Sequence, residues 1–277
     1  VINIKNIIIN LFKGLFIGIA NVIPGVSGGT IVLLLGIYER LLESIGSFFS
    51  DKTKMKERFL FILNILVGVL VGILLFAKVI SFLNENYPEP TSFFFIGLIL
   101  ASIPFLISNY EGKKINFRNI VCFFCGFNFV LLFLLIENMY KVNSTLTNEI
   151  TLLYGIKLFI VSFIAAGTMV VPGVSGSFLL ILLGEYYNIL NFINTMNILP
   201  LVIVSFGVGL GILIFSKIIN WFLKKHKDVT MSFIIGLVIA SVFKVFVGFT
   251  FIGILPILNI IAFTFGAILV IFLGKKS

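Results

Sequence analysis

Long apolar runs alternate with short polar or charged stretches along the whole chain. Phe59–Leu83, Phe93–Ile107, Ile120–Ile136, Pro200–Leu223, Met231–Phe249 and Ile254–Leu273 carry few charges. Their lengths approach the roughly 17–25 residues that a helix needs to cross hydrocarbon, so each is predicted to span a bilayer. Two further apolar segments are broken in the middle. After Lys13, an uncharged run from Gly14 to Tyr38 is interrupted at Pro24–Gly29, and Glu39, Arg40 and Glu43 follow it. The other runs from Lys157 to a break at Pro172, with Glu185 on its return arm. Gly14 to Pro24 makes about 16 Å of helix, half of a ~30 Å hydrocarbon core. The spacing favours re-entrant hairpins that cross halfway; full crossing would keep the topology and carry the breaks to the surfaces.

The breaks are copies of each other. Pro24-Gly25-Val26-Ser27-Gly28 returns as Pro172-Gly173-Val174-Ser175-Gly176, and Gly36 and Tyr38 return as Gly184 and Tyr186, all 148 residues on. Gly68, Gly72, Phe76 and Lys78 match Gly207, Gly211, Phe215 and Lys217 at an offset of 139. Ile96-Gly97-Leu98 and Ala101-Ser102 match Ile235-Gly236-Leu237 and Ala240-Ser241 at that same offset. The first half therefore holds about nine more residues between break and block, which places them near Asp51–Arg58. The expected fold is an all-α polytopic membrane protein of two repeats, each a re-entrant helical hairpin plus three transmembrane helices. Residues 1–136 form the first repeat, 137–151 an extracytoplasmic linker, and 152–277 the second.

A hairpin returns to the face it left, whereas three spans end on the opposite face, so the second repeat is expected upside down. Loop charges test this independently. Lys5, Lys52-Lys54-Lys56-Arg58, Lys113-Lys114-Arg118, Lys224-Lys225-Lys227 and Lys275-Lys276 fall on one predicted face. The other face has Lys141 alone in the linker. The positive-inside rule then puts both termini in the cytoplasm.

Composition agrees with this class: 60% of residues are hydrophobic and 11% charged, more apolar than a soluble core absorbs. The net charge of +9 resides in short loops beside apolar segments, which favours membrane topology over nucleic-acid binding. Cys122 and Cys125 lie inside a span without a second ligand pair, and read as small packing residues rather than a metal or redox site. The single histidine, His226, sits among lysines. Zinc chemistry and a Ser-His-Asp hydrolase are poor fits, and no metal or cofactor is expected. Lys5 and the apolar run after it imitate a secretory leader. A second copy near residue 170 places the segment in the mature protein.

Proline and glycine inside hydrocarbon require that the freed backbone groups find a partner or line a cavity. Paired breaks in two inverted halves point to the substrate site of a secondary transporter. Each return arm begins at its break, where unpaired N–H groups and the helix dipole favour an anion. Pro24 and Pro172 help stop the incoming arms, Gly25, Gly28, Gly29, Gly173 and Gly176 admit a ligand close to the backbone, and Ser27, Thr30, Ser175 and Ser177 supply hydroxyls. Two facing tips would form a site for phosphate or carboxylate. The bland alternative is close helix packing, for which Gly and Ser are also used. Tyr38, Glu39, Arg40, Glu185 and Tyr186 are candidates for gating or coupling; the alternatives are snorkelling to the interface or a helix pair that stabilises the arm for the charged residues, and packing for the tyrosines. Lys78 and Lys217 read as interfacial anchors.

Pro24-Gly25-Val26-Ser27-Gly28-Gly29-Thr30, followed by Gly36-Ile37-Tyr38-Glu39, resembles the signature of the bacterial polyprenyl-phosphate transporter family over nearly the whole chain. The resemblance implies a flippase, not an enzyme, that returns undecaprenyl phosphate, the carrier lipid of cell-wall synthesis, from the outer to the inner leaflet. Its substrate would be a polyprenyl phosphate lipid and its setting the membrane, with no nucleic acid. The second copy departs from the first, with Ser177 for Gly29 and Phe178 for Thr30. Rival readings are a secondary transporter of a small soluble anion on the same hairpins, a lipid phosphatase, and a structural scaffold.

Overall fold

Helices in hydrocarbon gain nothing from burying apolar surface against one another, so their association depends on close backbone approach. Glycines at the contacts make that approach possible here. The computed structural model describes residues 4–22, 27–108, 116–139 and 151–274. Among them are twelve helices: α1 (Ile4–Asn21), α2 (Gly28–Leu34), α3 (Tyr38–Gly46), α4 (Met55–Asn86), α5 (Pro88–Ser108), α6 (Phe117–Met139), α7 (Leu152–Val170), α8 (Gly176–Leu182), α9 (Tyr186–Asn194), α10 (Ile198–Lys225), α11 (Lys227–Val245) and α12 (Leu255–Gly274). Seven of these, α1, α4, α5, α6, α7, α10 and α11, are long and apolar enough to span a membrane; α12 carries a shorter apolar stretch. The all-helical membrane fold expected from the apolar pattern is present.

Four helix pairs dominate the packing: α1 with α4, α7 with α10, α5 with α12, and α6 with α11. A Cβ on Gly14 would fall on the Ile65 carbonyl oxygen, and one on Gly18 on that of Val69. Reciprocally, Gly68 and Gly72 lie against the Leu11 and Leu15 carbonyls, so α1 and α4 run parallel in register. Gly207 and Gly211 of α10 meet Phe159 and Phe163 of α7 in the same manner. Gly97 and Gly266 join α5 to α12, while Gly126 and Gly236 join α6 to α11. The glycines matched at the offset of 139 are thus the contact points of matching pairs.

Several boundaries differ from the pattern-based expectation. Helix α1 begins at Ile4, ten residues before Gly14, and its 18 residues make about 27 Å of helix rather than 16 Å. Lys5 and Lys13 did not end the helix, because a lysine's long stem lets its ammonium reach a polar partner outside the apolar face. Each return arm is two short helices instead of one. The chain turns at Gly36 (φ 67°) and Gly184 (φ 76°), a left-handed conformation that glycine adopts without strain. Helix α11 ends at Val245, short of Phe249. The extra residues of the first half fall where expected: 47–54 connect α3 to α4, only 195–197 connect α9 to α10, and α4 is four residues longer than α10.

Pairing crosses between the two halves of the sequence. Helices α5 and α6 pack on α12 and α11, so the segments 1–136 and 152–277 interlock. Replacing Gly97 by leucine drives a side chain into the α12 backbone and should lower unfolding stability in detergent by about 1–3 kcal/mol. Gly209 of α10 has open space around its Cα, and Gly209→Leu should be neutral in the same thermal-unfolding measurement.

Candidate functional site

A helix interrupted inside an apolar protein leaves backbone donors and acceptors that require partners. Side chains of the first return arm supply two of these at the second break. Thr30, on α2 and 1% exposed, accepts a hydrogen bond at Oγ1 from the Gly173 N–H of the second break (3.0 Å). Tyr38, the first residue of α3, donates its hydroxyl to the Val170 carbonyl that ends α7 (3.0 Å). Gly29 packs against the Met169 carbonyl and Pro172. The first return arm is therefore fixed to the second tip at three neighbouring points.

The glycines at the tips are filled by protein. A Cβ on Gly28 would strike the Asn21 side chain, one on Gly176 the Met169 side chain and Ala165 carbonyl, and one on Gly173 the Leu237 carbonyl. Gly173 also has φ 82°, as the chain reverses after the buried Pro172. Pro24 and Gly25 lie outside the described residues. The hydroxyls are arranged unequally. Ser27 is buried at the N-cap of α2, and Ser175 occupies the N-cap of α8; neither side chain caps its helix. Ser175 and Ser177 share a hydrogen bond (Oγ to Oγ 2.7 Å), with Ser177 exposed. That pair keeps one hydroxyl hydrogen for a further acceptor.

Both hairpins are braced by a lysine of the incoming arm, a feature the sequence reading left out. Lys13 donates from Nζ to the Leu35 carbonyl at the end of α2 (2.9 Å). Lys157 pairs with Glu185 (2.6 Å), which is 1% exposed and also accepts from Tyr154 (2.7 Å) and Asn188 (3.1 Å). The signal was present in the sequence: Glu185 is the only acidic residue between Leu152 and Lys227, and a carboxylate in an apolar arm requires a cation. Tyr186 packs edge-on against Tyr187.

Charged residues of α3 gather at one end of the protein. Glu43 pairs with Lys224 (2.6 Å), Glu39 with Lys227 (3.7 Å), and Arg40 with Glu57 (3.6 Å) while lying over the Phe61 ring. The hydrogen bond from Lys224 holds the Glu43 carboxyl below the usual carboxylate range. These contacts bring the lysine-rich stretches 52–58 and 224–227 to the same end. A cleft of about 430 Å³ opens there, lined by Gly36, Tyr38, Glu39, Arg40, Lys227 and Met231 among others. At a different junction, Glu89 accepts from the Thr250 N–H (3.0 Å) and from Asn259 (3.0 Å), tying the start of α5 to the segment before α12.

Comparison with known proteins bears directly on these elements. The model of the VCA0040-like family, described as undecaprenyl phosphate translocase-like, matches residues 17–254. The chain belongs to this family. The match covers both breaks, both return arms and the α7–α10 and α6–α11 seams. Among family relatives, a polyprenyl-phosphate transporter of Staphylococcus aureus is 36% identical over 276 residues, covering 96% of each chain. A polyprenyl-phosphate transporter of Vibrio cholerae serotype O1 is 34% identical over 253 residues, which is 87% of this chain and 78% of that protein. No solved structure matches the chain.

Thr30→Val leaves the buried Gly173 N–H without an acceptor and should cost about 1–3 kcal/mol of unfolding stability. Tyr38→Phe should cost about 1 kcal/mol, and the two losses should fall short of additive in a double-mutant cycle, since both hold the same tip. Glu185→Ala removes the carboxylate shared by Lys157, Tyr154 and Asn188 and should cost about 2 kcal/mol, with Glu185→Gln recovering part of it in the same assay.

Proposed function

We propose that this family member moves a polyprenyl phosphate across the bacterial cytoplasmic membrane by alternating access, returning undecaprenyl phosphate from the outer to the inner leaflet. The observation that carries the reading is the meeting of the two breaks, with uncapped helix starts and the Ser175–Ser177 hydroxyls beside the contact. A phosphate buried in hydrocarbon is very costly unless it is paired and hydrogen-bonded. First-turn N–H groups and serine hydroxyls replace its water, while the isoprenoid tail stays in lipid. The second tip bears more of the binding, because Thr30 is already engaged with Gly173. The names of the relatives support this substrate, and transport rather than an enzymatic reaction.

In this reading the lysine-rich end is cytoplasmic, both termini lie on that side, and the repeats are inverted. Two features support it: α3 meets the α10–α11 junction at the basic end, and the 246–254 segment that Glu89 meets carries no lysine or arginine of its own, Lys244 of α11 preceding it. The cleft beside Tyr38 then leads from the tips to the cytoplasm. Its pairs Glu39–Lys227 and Arg40–Glu57 are longer than Glu43–Lys224 and exchange more readily for a headgroup phosphate. Tyr38, Glu39 and Arg40 thus act as a gate.

Proteoliposomes test the proposal. The protein should accelerate transbilayer movement of undecaprenyl phosphate, and neither an uncharged polyprenol nor a short-chain phosphate. Ser27→Ala combined with Ser175→Ala should weaken phosphate-lipid binding at least about tenfold, the equivalent of one charge-assisted hydrogen bond. Movement of short-chain anions independent of a tail would assign the hairpins to a soluble substrate. Release of inorganic phosphate would assign them to a phosphatase.

A further inference from the structure

A polar side chain on the lipid-facing side of a membrane helix has no partner in acyl chains, and its position indicates what must cover it. Asn128 is the midpoint of α6, eleven residues or about 16 Å from either end. It is exposed and has no hydrogen-bond partner among the described residues. The opposite face of α6 is occupied: Gly126 lies against Phe233 of α11, and Val130 is buried beside it. Phe117, Val121, Phe124, Leu132 and Leu135 continue the exposed stripe on either side of Asn128. The exposed hydroxyls of Ser205 and Thr264 are already satisfied, because they bond back to carbonyls of their own helices. Asn86 and Asn188 likewise donate to the carbonyl four residues back, whereas Asn128 makes no such bond among the described residues.

We propose that this face of α6 is the contact between two copies of the chain. Copies inserted in the same membrane share one orientation, so a two-fold axis along the bilayer normal sets α6 beside α6 and brings each residue near its own counterpart. Asn128 then faces Asn128. A carboxamide carries both donors and an acceptor, so two of them form a self-complementary pair. Lipid cannot satisfy the group, because acyl chains lack polar atoms and headgroups lie roughly 15 Å away at the surface. The stripe carries no charge, which excludes a partner selected by ion pairing. The inference is independent of the transported substrate, since α6 packs beside Val171 through its opposite face and none of its residues lines the cleft.

Cys125 supplies a reporter already present in the chain. It is exposed on the same face, one turn from Asn128, whereas Cys122 is half-buried. Oxidation of native membranes with copper phenanthroline should yield a disulfide-linked dimer that persists in Cys122→Ser and vanishes in Cys125→Ser. Asn128→Leu should lower the dimer association constant roughly tenfold in nanodisc subunit counting, and Asn128→Gln should retain most of it. Leucine suits a lipid-facing site, so both variants should keep wild-type thermal stability and lipid transport. Single copies in every nanodisc, a dimer indifferent to Asn128→Leu, or a different protein or lipid occupying the α6 face would each overturn the proposal.

Discussion

Backbone satisfaction without water is the constraint on which this architecture rests. Two helices are broken inside an apolar protein, and neither break is stable alone. Bringing them together lets Thr30 accept from Gly173 and Tyr38 donate to Val170. This contact fixes where each return arm starts. It also sets how far α3 can reach, and so which residues of α4, α10 and α11 its charges meet. The cleft beside Tyr38 follows from the same geometry, because Gly36 turns the chain just before the tyrosine that grips the other tip.

Glycine seams determine which parts can move as units. Helices joined by carbonyls lying on Cα atoms cannot slide past each other without losing the contact that holds them. The α5–α12 and α6–α11 seams both cross between sequence halves. Rocking one half against the other would tear two seams. A motion that preserves all four treats α5, α6, α11 and α12 as a frame, with the α1–α4 and α7–α10 pairs and their hairpins as the moving bodies. Thr30–Gly173 and Tyr38–Val170 link those bodies at the tips, and α3 packs on α10 with Gly46 against Lys217 and Glu43 paired with Lys224, so the proposed change of access has to remake both contacts.

Much of this was legible in the residues. The doubled Pro-Gly-Val-Ser-Gly located both breaks, and the offset of 139 marked glycines that prove to be matching contact points. Apolar runs located the long helices to within a few residues. Less visible was the partner of each helix, because an apolar face looks the same whichever neighbour it meets; nothing in Gly97 names Phe263. The length of α1 was missed because lysine was read as a boundary, although Lys13 reaches a carbonyl instead of water. At the tips, glycine was assigned to ligand approach, and its use against Asn21, Met169 and Leu237 depended on chain segments remote in sequence.

The departures between the two copies carry as much meaning as their likeness. Thr30 stands where the second copy has Phe178, and the threonine holds the opposite tip. Gly29 and its counterpart Ser177 differ, and only the serine adds an exposed hydroxyl. The first copy therefore joins the tips, and the second offers donors. The same division recurs in the arms. Leu35 is held by a single lysine at its carbonyl, whereas Glu185 is held by a lysine, a tyrosine and an asparagine, so the donor-bearing hairpin is the more firmly braced. In the proposed transport, the hairpin that holds the phosphate needs its N–H groups fixed in direction, while the one that links and gates needs bonds that exchange. Duplication supplied two equal breaks, and the substitutions assign them different work.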